Sequence, residues 1–132
     1  MLLTRKSEYA LLSLVSISKS NKPKNADTLA RELGISKSFL AKILQAFTKK
    51  EILKSYKGVN GGFALNVLPE ELTILDITTI AEEKTPTVFE CSPSQQTCPG
   101  AMSNRCTVWP LLNNLQMKID SFLKELTLKD IM

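Results

Sequence analysis

The chain has 132 residues, of which 43% are hydrophobic and 23% charged, as in an ordinary globular domain. Residues 1–67 hold 12 Lys or Arg against 4 Asp or Glu, whereas residues 68–132 hold 5 against 9, so a basic half predicts a nucleic-acid partner. The chain has no histidine, which excludes Ser-His, Cys-His and His-metal catalysis, and we expect no enzyme. No stretch is apolar enough to span a membrane, and we expect a cytoplasmic protein.

Two helices are predicted first. Ser7 is expected to cap a helix over about 8–18, in which apolar side chains recur at helical spacing until a polar turn ends it. Asn25 is expected to cap a shorter helix over 26–33. Gly34 is expected to end that helix in the left-handed conformation, which glycine adopts without strain.

Ser36 then opens a third, longer helix with an apolar face, so the three elements form a helix-turn-helix. Residues 52–56 and 63–67 read as two strands, and residues 57–62 between them are rich in glycine. A hairpin directly after a recognition helix describes a winged helix.

After the wing, Thr73 is expected to cap a helix that closes at Glu82, and residues 107–126 form one long amphipathic helix. That helix packs either on its own domain or on its copy in a second subunit, and we favour the homodimer. The expected fold class is mainly α with a small β-hairpin wing, a winged helix-turn-helix plus a long C-terminal dimerisation helix. The expected parts are the winged-helix domain (1–82), the cysteine loop (83–106) and the dimerisation helix with its tail (107–132).

All three cysteines, Cys91, Cys98 and Cys106, fall within sixteen residues that are rich in turn formers. Six and seven residues separate them, unlike the close pairs of structural zinc sites, so an iron-sulfur cluster is the better metal assignment. Two alternatives stay open. The cysteines are unremarkable thiols in a polar loop, or Cys91 and Cys98 form a disulfide as a redox switch.

Several motifs follow one another in a specific order along nearly the whole chain. They are Leu-Thr-Arg-Lys-Ser-Glu-Tyr-Ala (3–10), Leu-Gly-Ile-Ser (33–36), Phe-Leu-Ala-Lys-Ile-Leu (39–44), Gly-Val-Asn-Gly-Gly-Phe-Ala-Leu (58–65), the three cysteines, and Leu-Thr-Leu (126–128). Together they resemble the IscR/NsrR/CymR family of bacterial transcription regulators. The resemblance implies a dimeric winged-helix repressor or activator that binds double-stranded DNA at a palindromic promoter site.

The resemblance also implies an iron-sulfur cluster, 2Fe-2S or 4Fe-4S, held by Cys91, Cys98 and Cys106, that senses iron-sulfur status, nitric oxide or redox state. One branch of the family adds a histidine after the third cysteine, but here Trp109 lies in that region. Another branch adds an acidic residue from the other subunit at the start of the first helix, a position that Glu8 occupies. Without a metal, Glu8 would simply interact favourably with the helix dipole.

The DNA contacts are expected on the recognition helix and on the wing. They are Ser36, Lys37, Ser38 and Lys42 on the first turns of the helix, and Lys57, Asn60 and Gly61 in the wing. The rival functions are a cluster-free thiol switch and a regulator that is controlled by a partner protein through the acidic half.

Overall fold

The computed structural model describes residues 3–88, 92–93 and 107–132. Its elements are α1 (Arg5–Lys19), α2 (Ala26–Leu33), α3 (Lys37–Lys49), β1 (Leu53–Tyr56), β2 (Gly62–Leu65), a 3-10 turn (Pro69–Glu71), α4 (Ile74–Glu82), α5 (Trp109–Glu125) and α6 (Leu128–Ile131). The described residues are mainly helical and include an antiparallel hairpin, which confirms the predicted fold class. The 3-10 turn and α6 were not predicted, because each is too short to show a periodic pattern.

Helix α1 begins earlier than the sequence predicted. Thr4 is its N-cap, and its side chain accepts a hydrogen bond from the Lys6 N–H at 3.2 Å. The assignment of Ser7 as the cap is wrong: Ser7 is buried inside the helix, where its hydroxyl donates to the Glu82 carboxylate at 3.0 Å. The inner face of α1 places Ala10, Leu14 and Ile17 in the core.

The helix-turn-helix forms as predicted because its signals are local. The Asn25 side chain accepts the Thr28 N–H at 2.7 Å, and the Ser36 hydroxyl accepts the Phe39 N–H at 3.2 Å. Gly34 ends α2 with φ 69° and ψ 34°, in the left-handed region. The inner face of α3 then buries Leu40, Ile43, Leu44 and Phe47. Those four side chains determine which face of α3 points outward.

The wing contains a third segment that the sequence did not predict. Strands β1 and β2 pair from Leu53 with Leu65 to Tyr56 with Gly62, somewhat shorter than the predicted 52–56 and 63–67. The backbone of Lys24, ahead of α2, pairs with Phe63 through hydrogen bonds of 3.0 and 2.7 Å. Gly62 has φ 143°, and a Cβ there would lie 2.4 Å from the carbonyl carbon of Lys24. The base of the wing is thus fastened to the helix-turn-helix.

Helix α4 starts at the predicted cap. Thr73 and Asp76 form a capping box, in which the Asp76 N–H donates to the Thr73 hydroxyl at 3.1 Å and the Thr73 N–H donates to the Asp76 carboxylate at 3.3 Å. The helix ends at Glu82 and is followed by the C-cap residue Glu83, whose φ of 61° is left-handed. Because α4 packs along α1, it joins the helical core to the chain that leads into the cysteines.

Helix α5 lies within two residues of the predicted span, and one of its sides packs on α4. The chain after it returns to the residues just before α4: the Leu128 N–H donates to the Leu72 carbonyl at 2.8 Å, and the Leu128 side chain is fully buried. A second side of α5 exposes Leu111, Leu115 and Phe122, and the N-cap residue Val108 is exposed in line with them. These four side chains lie at helical spacing along one face, and we call them the apolar stripe.

Candidate DNA interface and cysteine segment

The outward face of α3 is a straight polar row. Ser38, Lys42, Gln45 and Lys49 are exposed at intervals of four, three and four residues, which places them along one line of the helix. The predicted contacts Ser38 and Lys42 therefore share a face. Gln45 was missed, although its spacing from Lys42 was visible in the sequence. A glutamine amide is one of the side chains that can pair with an adenine edge.

Lys37 lies at the start of α3 and is not a free cation. Its Nζ is 2.9 Å from Oδ1 of Asp27 in the first turn of α2, and the two side chains are 62% and 61% exposed. The pair spans the turn of the helix-turn-helix and borders a shallow depression shared with Arg31 and Gly34. Asp27 thus offsets part of the positive charge that a phosphate would meet, and no pattern in the sequence predicted this pair.

In the wing, two of the predicted contacts are exposed and the third shapes the turn. Lys57 and Asn60 are exposed, as is all of the Val59 side chain. The Gly61 N–H donates to the Gly58 carbonyl at 3.0 Å, and a Cβ at Gly61 would lie 2.2 Å from the Tyr56 carbonyl oxygen. Gly61 is therefore required by the backbone path of the wing, because any side chain would collide with that backbone.

Glu8 is exposed on the first turn of α1. The start of the same helix is tied to α4, since both Thr4 and Ser7 donate hydrogen bonds to Oε1 of Glu82. Partial burial alone raises the pKa of the Glu82 carboxyl, but hydrogen bonds from the hydroxyl and backbone N–H groups of Thr4 and Ser7 together outweigh it and lower the pKa below its ordinary value. A charged Glu82 thus holds the segment that carries Glu8.

The three candidate thiol ligands, Cys91, Cys98 and Cys106, lie outside the described residues. Among the residues that are described, no group of three or more His, Cys, Asp or Glu side chains is arranged to hold a metal ion. Within the same ranges, no helix combines the length and apolar character needed to cross a bilayer. Glu8 is the one member of the predicted ligand set whose position is known.

A helix-turn-helix followed by a hairpin that is fastened to it defines a winged-helix protein. Residues 3–132 match the Rrf2 family, described as iron-dependent transcriptional regulators. The chain belongs to the Rrf2 family and is a DNA-binding transcription regulator, in agreement with the prediction that it is not an enzyme.

Individual relatives agree with this assignment. The chain is 26% identical to the transcriptional regulator IscR of Aliivibrio salmonicida over 134 residues, covering 100% of this chain and 77% of that protein. Its fold is similar to CymR, the global cysteine regulator of B. subtilis, with a TM-score of 0.75, 20% identity and coverage of 99% and 95%. It is also similar to T. potens IscR, with a TM-score of 0.76, 18% identity and coverage of 99% and 85%.

Proposed function

We propose that the DNA affinity of this regulator is controlled by an iron-sulfur cluster bound by Cys91, Cys98 and Cys106. The observation that carries this proposal is that all three cysteines of the chain fall within sixteen residues. The description of the family as iron-dependent and the similarity to IscR proteins support it. Such a cluster would sense iron-sulfur status, nitric oxide or redox state.

The donor set fits the group. Three thiolates satisfy most of the protein ligands that an iron-sulfur cluster requires, and one position is left for another donor. We assign that position to Glu8 of the partner subunit, because its carboxylate is exposed on the first turn of α1. When bound, the cluster supplies a redox centre whose potential depends on its net charge and solvent exposure.

Glu8 is well placed to influence DNA binding. It lies on α1, whose inner face packs in the same core as the recognition helix α3. The hydroxyls of Thr4 and Ser7 anchor this end of α1 to Glu82. A change at Glu8 is therefore transmitted to the helix-turn-helix through packed side chains.

On the DNA side, we assign the major-groove contacts to the outward face of α3 and the minor-groove contacts to the wing. The proposed contacts are Ser36, Lys37, Ser38, Lys42, Lys57, Asn60 and Gly61, to which we add Gln45. Two such surfaces in a symmetric dimer would meet half-sites roughly 34 Å apart, which is one turn of a palindromic DNA site. A DNA target implies that the protein acts in the cytoplasm.

We assign the dimer contact to the apolar stripe of α5. Its side chains are 42–66% exposed, which is a costly arrangement for a lone helix in water. A two-fold contact between two copies of α5 would cover both stripes. The three parts proposed from the sequence (1–82, 83–106 and 107–132) would then serve DNA binding, sensing and dimerisation. The third part is not a separate packing unit, because the tail after α5 packs in the core of the first part.

A cluster-free thiol switch is the second candidate, because Cys91 and Cys98 are separated by six residues and can form a disulfide that leaves Cys106 free. In that case the protein binds no iron, and oxidation alone changes its affinity for DNA. Control by a partner protein at the acidic half is a third candidate.

Anaerobic purification followed by iron and sulfide analysis separates these candidates. We expect iron and sulfide in the wild type, their loss in Cys106→Ala, and a changed absorption spectrum in Glu8→Ala with the metal-free dimer still folded. Glu70→Ala, at another exposed glutamate, is the matched control. Colourless wild-type protein with three free thiols after reconstitution would contradict the cluster, and an unchanged Glu8→Ala spectrum would contradict the fourth ligand.

A further inference from the structure

Helix α5 holds a buried amide that bonds to the backbone of the chain leading into the cysteines. Gln116 is only 3% exposed. Its Nε2 donates to the Pro86 carbonyl at 2.9 Å and to Oδ1 of Asp120 at 2.9 Å, while its Oε1 accepts the Val88 N–H at 2.8 Å. Both ends of the amide are therefore satisfied, and two of the three bonds go to the main chain of residues 86–88.

Asn113 lies one turn earlier on α5 and holds the other side of the same segment. Its Nδ2 donates to the Ser92 carbonyl at 2.9 Å, and Ser92 is fully buried. Val88 and Ser92 lie on either side of residues 89–91 in the sequence, and Cys91 directly precedes Ser92. We call the hydrogen bonds from Asn113 and Gln116 to Pro86, Val88 and Ser92 the α5 clamp.

The position of this segment depends on side chains and not on secondary structure. Residues 85–88 form neither helix nor strand, so their backbone groups have no regular partners. If a clamping side-chain amide is removed, the buried backbone groups of the segment lose their hydrogen-bond partners. That loss favours release of the segment into water. The clamp thus stabilises one location of the chain next to Cys91.

We propose that Asn113 and Gln116 are positioning residues. Their hydrogen bonds hold the start of the cysteine loop (83–106), next to Cys91, on α5. This inference rests on the proposed function, in which the cysteines are the sensor. The same helix carries the apolar stripe on another side, so a displacement of the Cys91 end acts on the helix that we assign to the dimer contact. The α5 clamp and the apolar stripe lie on the same helix, which would couple the proposed sensor to the proposed dimer contact.

The test measures thiol reactivity in the reduced, metal-free protein, so it is independent of cluster binding. Each cysteine is alkylated with iodoacetamide, and its rate is read separately by mass spectrometry. In Asn113→Ala, which loses one hydrogen bond to the segment, we expect Cys91 to react about 2- to 12-fold faster, and in Gln116→Met, which loses two, about 5- to 150-fold faster. Cys106 should keep its rate, because it lies at the other end of the cysteine loop in the sequence, directly before residue 107. Asn114→Ala, at an exposed neighbour on α5, is the control.

Hydrogen exchange of the Val88 amide provides the second readout. Faster exchange in Gln116→Met together with faster Cys91 alkylation supports the proposal. Faster exchange with an unchanged Cys91 rate overturns it, as does equal acceleration of all three cysteines in the folded Asn113→Ala protein. If the wild type takes up no iron but the clamp variants still expose Cys91, the cluster proposal fails while the positioning role stands.

Discussion

Neutralising Asp27 is expected to strengthen DNA binding. In the free protein its carboxylate lies 2.9 Å from the Lys37 ammonium group, at the start of the recognition helix. A DNA phosphate must either displace Asp27 or approach it as a like charge, and both cost affinity. Asp27→Asn removes that cost while nearly preserving the size of the side chain.

The magnitude follows from the geometry. Two unit charges at 2.9 Å attract by roughly 1.4 kcal/mol in the dielectric of water. Side-chain entropy and salt reduce exposed pairs to about 0.2–1 kcal/mol, and both partners here are more than half exposed. Releasing Lys37 should therefore raise affinity about 1.4- to 5-fold per protomer, or about 2- to 30-fold for a dimer on two half-sites.

The assay is fluorescence anisotropy with a duplex that the wild-type protein has selected from random DNA, at fixed salt because phosphate contacts are salt-dependent. Lys37→Met and the double variant complete a double-mutant cycle. Glu70→Gln, at an exposed acid elsewhere, controls for the change in net charge. Equal or weaker binding by Asp27→Asn, or a gain that persists with Lys37→Met, would refute the reasoning.

Three further predictions concern the anchor of α1, the wing and the proposed dimer contact. The pKa of Glu82 is lowered from the ordinary 4.5, so its charged form stabilises the fold above that pH and loses this effect as the pH falls through the lowered pKa. The melting-temperature difference between wild type and Glu82→Gln should shrink below about pH 4.5; a constant difference contradicts this. Gly62→Ala should lower the melting temperature and weaken DNA binding, because its Cβ would overlap the backbone of Lys24; wild-type values for both would count against that contact. Phe122→Glu and Leu115→Glu should give monomers in sedimentation, whereas intact dimers would move the interface away from the apolar stripe.

The helix caps and the glycine that ends α2 were predicted correctly from the sequence. Asn25, Ser36 and Thr73 cap the helices that they were predicted to cap, because each satisfies backbone N–H groups within its own first turn. Gly34 ends α2 for an equally local reason, its left-handed φ. The order of helices and hairpin, and hence the winged-helix class, follows from such signals and from apolar periodicity.

The anchor of α1 was decided by residues distant in the sequence. Both Thr4 and Ser7 are residue types that can cap a helix. In the structure both hydroxyls donate to Glu82, Thr4 is the N-cap, and Ser7 is buried within α1. No local pattern distinguishes the two.

The sequence by itself determined the family, the recognition helix and the cysteine trio, because periodicity, capping and spacing all act over a few residues. Only the tertiary structure paired Asp27 with Lys37, fastened Lys24 to the wing, and brought Asn113 and Gln116 of α5 onto the chain beside Cys91. These contacts join residues that the chain order separates, and a polar side chain does not reveal in the sequence which distant backbone group it will meet. The proposed coupling between the cysteines and DNA binding would therefore depend on these tertiary contacts, whereas the separate elements follow from local sequence.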